Sequence, residues 1–539
     1  MRPDTCRQTE TAFYNGRIYT ADEAFPFARS FVVRDGRFAS VGDDTAAQVC
    51  AHRVDLGGRC VIPGLVDSHC HILSGLQRAA MNLIKLDEGT KPETLAAALL
   101  ARAKSEGDGV LSAMGINLTQ GAFSARDLDG AFPARPVLVF SFDGHALLLN
   151  HRAMELLHID RDTEDPDENS YFVRDGNGEP TGLVIEIPAM MRCRALVDAE
   201  GAASEETLSG LLDAYAALGY TTVFDAMSAD GETADVFPLL RDFAQAGRMS
   251  LRLSASFCYH GEAYIEPGEA LEQLRALRRS CGFADLRADT LKLITDGTVE
   301  ERSALLSAPY ADQPGYRGSA LIDPADMMRM ARLATEDGFH IHIHAIGDLA
   351  VSRALDTLCA LGKTSGTKTI AHNQLYRPED VARIARAGDI FFQTTPHWVT
   401  ADDYTLARLG EERYARQFPV GTMRRHGVTV SFGSDTYLDE PLANAFAGMY
   451  CAVARGDAGL YPPKDEGISR ASALAAYTIA GARQLGWGDE TGSITAGKSA
   501  DFAVLDRDVM TCPLDELART QVRETWFHGN VVYRKSDKL

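Results

Sequence analysis

Five short apolar runs in this chain end in side chains able to hold a metal ion. Val61-Ile-Pro-Gly-Leu-Val-Asp-Ser-His-Cys-His71 ends in two histidines one residue apart. Side chains alternate along a strand, so His69 and His71 share one face while Cys70 points away. Leu291-Lys-Leu-Ile-Thr-Asp-Gly297 sets Lys292 inside an apolar strand, and Phe339-His-Ile-His-Ile-His344 puts three histidines on one face and two isoleucines on the other. Ile370-Ala-His372 follows one βα length later, and Val428-Thr-Val-Ser-Phe-Gly-Ser-Asp435 ends in an acid after a Gly-Ser bend. Imidazole nitrogens and carboxylate oxygens are the donors of a Zn²⁺ site, and such an ion prepares water for hydrolysis.

Each run has an ordinary reading when taken alone. Paired histidines bond to one another, and a strand-end aspartate caps the following helix. A buried lysine costs several kcal/mol unless it is paired, neutralised or modified. Lys292 therefore reaches solvent or an acidic partner, or carries a CO₂-derived carbamate that bridges metal ions. The order of the five runs, each at a predicted strand end, favours the metal reading.

The elements that must position these residues are strands alternating with helices, which predicts a parallel βα architecture. A helical pattern over 207–217 precedes Gly219-Tyr-Thr-Thr-Val-Phe-Asp225; another, Pro324 to Glu336, precedes the three-histidine strand. A third, Pro378 to Ala387, precedes Asp389-Ile-Phe-Phe-Gln-Thr394. In such a barrel only the C-terminal strand ends reach the active face, which selects His344, leaves His342 below it and makes His340 structural. The span from His69 to Asp435 far exceeds the ~250 residues of a complete eightfold barrel, so an inserted subdomain is expected at roughly 85–205, after the first barrel strand.

Both ends of the chain have a different grammar. Asn15-Gly16, Asp35-Gly36 and His528-Gly529-Asn530 separate short apolar runs, and Asn-Gly and Asp-Gly pairs favour tight hairpins. Residues 1–60 and 485–539 are expected to form one small β-sandwich flanking a barrel over 61–484.

With 54 basic and 75 acidic side chains among 539 residues, the net charge of −21 argues against nucleic acid and leaves a small neutral substrate open. Ten scattered cysteines with no CxxC read as thiols of a reducing compartment. No stretch approaches the ~18 apolar residues of a membrane helix, and the first ten residues lack a signal-peptide core. A soluble cytoplasmic protein is expected, with a homodimer as the default assembly.

The motifs together resemble those of the metal-dependent amidohydrolase superfamily, in the branch that includes N-substituted formamide deformylase. They are Asn15-Gly-Arg-Ile-Tyr-Thr20, Pro63-Gly-Leu-Val-Asp-Ser-His-Cys-His71, Asp143-Gly-His145, Pro180-Thr-Gly-Leu183, Lys292 with Asp296-Gly297, His344-Ala-Ile-Gly-Asp348, His372, Gly433-Ser-Asp435 and Gly492-Ser-Ile-Thr-Ala-Gly-Lys-Ser-Ala-Asp501. The resemblance implies a (β/α)8 barrel with a small β-sandwich. It also implies that His69, His71, carboxylated Lys292 and Asp435 hold one metal, and Lys292, His344 and His372 a second. This chain departs from many relatives at Thr298-Val-Glu-Glu-Arg302 and at Asn373-Gln374, where relatives often carry Ala-Gln. Neither departure removes a ligand.

The implied reaction is hydrolysis of the C–N bond of an N-acyl or N-formyl compound. Asp435 is expected to move the proton, and His145 or His397 to stabilise the oxyanion. The same centre would serve an ester, a lactone or a cyclic imide, and a regulatory relative that kept only the fold is the non-enzymatic alternative.

Overall fold

A computed structural model describes residues 10–536 apart from 44–49, 51, 81–82, 103–108, 119–120, 143, 167–169, 198–202, 228–235, 439, 458 and 462. Asp143 of the Asp-Gly-His motif lies outside the described residues.

Eight parallel strands form one sheet in chain order. They are β1 (Leu65–Cys70), β2 (Tyr220–Asp225), β3 (Arg252–Tyr259), β4 (Leu286–Ile294), β5 (His340–Ala345), β6 (Lys368–His372), β7 (Ile390–Thr394) and β8 (Val430–Phe432). Nearly every residue of these strands is buried, as expected where helices cover the outside and side chains fill the inside. The outer layer includes α1 (Glu205–Ala217), α2 (Pro324–Glu336) and α3 (Pro378–Ala387). The α1 helix opens with a capping box on Ser204 and Thr207. Pro324 and Pro378 open α2 and α3, where a missing N–H costs nothing and the fixed φ already suits the helix.

The barrel closes between β8 and β1. Asp435 N–H donates to the His69 carbonyl at 2.8 Å, His71 N–H to the Thr436 carbonyl at 3.0 Å, and Ser68 Oγ to the Phe432 carbonyl at 2.7 Å. Gly433 permits this approach, since a Cβ there would meet the His69 backbone nitrogen at 2.6 Å. Asp67 fastens the same seam by accepting from Ser434 N at 2.9 Å and Ser434 Oγ at 2.5 Å.

Between β1 and β2 the chain builds a separate six-stranded mixed sheet, from Ile84–Lys85 through Pro180–Ile185, with its own apolar core. This is the insertion that the surplus length required. Strands from both termini meet in another six-stranded sheet, where Cys60–Pro63 pairs antiparallel with Phe502–Leu505. A four-stranded sheet joins it around Phe13, Phe31, Phe38 and Phe502. Arg252 of β3 ties these sheets to the barrel through Asp501, 2.5 Å away, both side chains being at most 1% exposed.

Asp35-Gly36 and His528-Gly529 turn hairpins as expected, with φ of 51° and 74° and of 48° and 71°. Asn15-Gly16 does not. It has the left-handed Asn15 (φ 55°), but the strands on either side, Thr11–Tyr14 and Arg17–Tyr19, belong to different sheets. The turn redirects the chain from one layer to the other, because Gly16 N–H donates to Arg29 and Leu56 N–H to Tyr14 instead of pairing across a hairpin.

Candidate metal centre

A cavity of about 590 Å³ opens at the C-terminal ends of the barrel strands, within the range of small-molecule sites. His69, His71, Lys292, His344, His372 and Asp435 all line it, although they come from five strands spread over most of the chain. Asp435 Oδ1 lies 2.9 Å from His71 Nε2 and 3.4 Å from His69 Nε2, and its Oδ2 lies 3.3 Å from His372 Nδ1. The ligand atoms of His69, His71 and Asp435 all fall within 4.8 Å of one another. His344 and His372 stand edge to face with ring centroids 4.3 Å apart.

Whether these residues fit a metal can be tested on their unmet hydrogen bonds. Buried polar atoms nearly always have partners. Among the described residues, His69 Nε2, His71 Nδ1, His344 Nε2 and both ring nitrogens of His372 are buried without one. Burial also holds His69, His344 and His372 well below the ordinary imidazole range, with Lys292 or a neighbouring histidine adding repulsion. Neutral imidazoles are the form that binds metal. His69 Nδ1 faces Gln393 Oε1 at 3.1 Å and His342 Nε2 at 3.0 Å, which assigns the proton to Nδ1 and leaves Nε2 as the donor to an ion. The donor set fits a divalent cation.

Lys292 is 2% exposed, and burial lowers its amine from 10.5 to about 8, with Asp435 and Asp225 opposing. It sits level with His342, one layer below His344, so only its long side chain reaches the cavity. The three histidines of β5 divide as their alternation predicts. His344 lines the cavity, His342 contacts His69 from beneath, and His340 lies towards the other end, accepting from Thr367 N–H at 2.8 Å.

The backbone around the cavity is strained. Glu186, Arg302, His372, Asn373, Asp435 and Leu438 all have φ between 50° and 73°. Such conformations cost of order 1–3 kcal/mol each and cluster at functional sites. Asp435 and His372 are both in this set.

The two candidate oxyanion residues separate. His145 lines the cavity, its Nδ1 2.9 Å from Glu186 Oε2. His397 does not line it. Pro396–Val399 form a 3₁₀ turn that aims His397 Nε2 at the Asn444 carbonyl, 2.9 Å away, and burial lowers its pKa to about 4. Its neighbour Trp398 faces the cavity instead and stacks on His372 with centroids 5.4 Å apart and planes 5° from parallel.

Glu186 and Gln393 are absent from the residues that the sequence singles out. Gln393 carries no signal beyond lying in a strand. Glu186 has one, since Thr181-Gly-Leu-Val-Ile-Glu186 is an apolar run ending in an acid, the same pattern that marks Asp435.

The amidohydrolase family pattern matches residues 53–533 of this chain. The exoenzymes regulatory protein AepA of Pectobacterium carotovorum is 30% identical over 446 residues, covering 78% of this chain and 93% of that protein. N-substituted formamide deformylase of Arthrobacter pascens is 27% identical, with 97% and 98% covered. A crystal structure of an uncharacterized metal-dependent hydrolase from Pyrococcus horikoshii OT3 has the same fold, with a TM-score of 0.72 at 23% identity over 94% of this chain and 99% of that one. A parallel barrel, a ring of histidines at its C-terminal end and a match over most of the sequence converge, and this chain belongs to the amidohydrolase family, whose hydrolases depend on metal.

Proposed function

We propose that this protein hydrolyses the C–N bond of an N-acyl or N-formyl small molecule at a zinc centre. The observation that carries the reading is the gathering of the ligand atoms of His69, His71 and Asp435 within 4.8 Å, with His372 Nδ1 3.3 Å from the same carboxylate and buried imidazole nitrogens beside them left without partners. His69, His71 and Asp435 would hold one ion, and His344 and His372 a second, with Lys292 between them as its CO₂-derived carbamate. The depressed amine supports the carbamate, because an uncharged amine is the form that captures CO₂. A bound Zn²⁺ lowers the pKa of water towards ~7 and polarises a carbonyl.

The residues of the chain do the rest. Asp435, held in its strained conformation by the His69 carbonyl, takes the proton from the attacking water and returns it to the leaving nitrogen. His145, placed by Glu186, stabilises the oxyanion from the inserted sheet. Leu438, Tyr437, Met227, Ile346 and Trp398 give the cavity an apolar wall that suits a substituted amide and excludes bulk water. All nine described cysteines are free, which suits a reducing cytoplasm, and no described helix is long and apolar enough to cross a membrane.

A relative named as a regulatory protein favours a second reading, in which the fold is kept without turnover. One experiment separates the two: metal analysis of the purified protein, followed by a screen of zinc-reconstituted protein against N-formyl arylamines, N-acyl amides, esters and lactones. Bound zinc with turnover of amides is expected. Turnover of esters or lactones alone overturns the C–N assignment, and absence of bound metal overturns the hydrolase.

A further inference from the structure

The carboxylate of Glu186 is 1% exposed, yet no lysine or arginine pairs with it among the described residues; its one ion pair is with His145. A buried carboxylate needs either a counter-charge or a full set of donors. Ser303 Oγ accepts from Thr298 N–H at 2.9 Å and donates to Oε1 at 2.8 Å, the Thr298 carbonyl being a more distant second acceptor at 3.4 Å. That leaves Oε2 for His145 Nδ1.

The placement is over-determined. Glu186 has φ 63° and its N–H donates to the His145 carbonyl at 2.9 Å, so backbone and side chain grip the same histidine. Gly297, beside the metal strand, makes room, since a Cβ there would lie 2.5 Å from Glu186 Oε1 and 2.1 Å from Ser303 Oγ. The inserted sheet and the loop after β4 are thus joined through one carboxylate.

We propose that Glu186 is the positioning residue of His145, holding its ring with Nδ1–H turned inwards so that Nε2–H meets the substrate oxygen as a cationic donor. A neutral ring with its proton on Nδ1 would have only a lone pair at Nε2, which repels an oxyanion. The carboxylate resolves this by stabilising the imidazolium. Other charged groups act on this corner. His344 on β5 opposes a charge on His145, and Tyr171 feels Glu186 together with Asp165, Glu301 and Arg302, of which Arg302 is already paired with Asp312 at 2.5 Å. The use of the donor rests on the hydrolytic reading above; its construction does not.

The test reads the ring directly. Zinc-loaded protein labelled with ¹⁵N-histidine is titrated by two-bond ¹H–¹⁵N NMR, with His145 assigned by the signals lost in His145→Gln. The expected result is an Nδ1-protonated ring whose midpoint lies at least one pH unit above the ordinary ~6.5. Glu186→Gln should lower that midpoint by a unit or more, and Ser303→Ala by less. A midpoint at or below 6.5, or one unmoved by Glu186→Gln, overturns the proposal. Should Glu186→Gln fail to fold, Ser303→Ala carries the same readout, and an unmoved midpoint there has the same meaning. In turnover of an N-formyl arylamine, Glu186→Gln should lower kcat by about 10- to 100-fold, leave KM within about twofold and shift the alkaline limb to lower pH, with Glu186→Asp recovering part of the loss. A change in KM alone overturns the positioning role. If no amide is turned over, the hydrolytic reading fails while the titration still decides the dyad.

Discussion

Replacing Lys292 by methionine should stabilise the metal-free protein and destabilise the metal-loaded one. Burial lowers the Lys292 amine from 10.5 to about 8. At about 1.4 kcal/mol for each tenfold change in proton affinity, the metal-free fold loses about 3 kcal/mol by carrying this group at pH 7. Because the folded value lies below the unfolded one, the unfolded chain binds the extra proton between pH 8 and 10.5. Stability therefore rises with pH across that window, and the penalty is complete below it. Methionine fills a similar volume with no charge to desolvate. In chelator-treated, CO₂-free buffer, Lys292→Met should unfold later than the wild type at pH 7 by up to about 3 kcal/mol, with the two converging towards pH 10.5. With bicarbonate restored so that the carbamate can form, zinc at about 100 times its wild-type Kd should add about 2.7 kcal/mol to the wild type and little to the variant. Denaturant unfolding of both proteins, with and without zinc at pH 7 and 10, measures all of this. A metal-free variant less stable than the wild type at pH 7 would show that the amine is paired. Equal protection by zinc would remove Lys292 from the ligand set.

Asp435→Asn keeps an oxygen ligand but loses the proton acceptor, so kcat should fall by about 10²- to 10⁴-fold, read beside zinc content by atomic emission. His397→Leu should leave kcat within about threefold and reduce stability by about 1–3 kcal/mol at pH 7 through the lost bond to the Asn444 carbonyl. The native ring stays neutral down to about 4, so the wild type loses stability as pH falls from 6.5 towards 4, and thermal melts at pH 5 should show a smaller gap than at pH 7. Arg252→Met strands the buried Asp501 carboxylate and should cost about 3–5 kcal/mol in denaturant unfolding, with turnover per folded molecule unchanged.

The barrel was legible because its cavity histidines and Asp435 sit at or just beyond strand ends and its strands are spaced by helices. His340, His342 and His344 alternate with isoleucine, and that alternation with one rule about strand ends separated the cavity residue from the two below it. The insertion announced itself as surplus length. What stayed hidden was fixed by distant chain. Glu186 meets His145 across 41 positions and Ser303 across 117, so neither contact leaves a local trace. His397 follows an apolar strand like the other histidines, but Pro396 starts a turn that rotates the ring away, which strand periodicity does not describe. Asn15-Gly16 has the composition of a hairpin, but only Asn15 takes the positive φ, and its flanking strands belong to two sheets.

The seam between β8 and β1 sets a schedule for biogenesis. His71 and Asp435, in direct contact, are separated by 364 positions. At ~5–20 residues per second, the ribosome delivers the histidines about 20 to 70 s before the aspartate. A nascent chain in that interval has two imidazoles on an unpaired strand edge and no carboxylate to complete their site. Completion of this cluster therefore belongs to the finished polypeptide, and a chain truncated before Gly433 leaves the cylinder unclosed and His69 and His71 without Asp435.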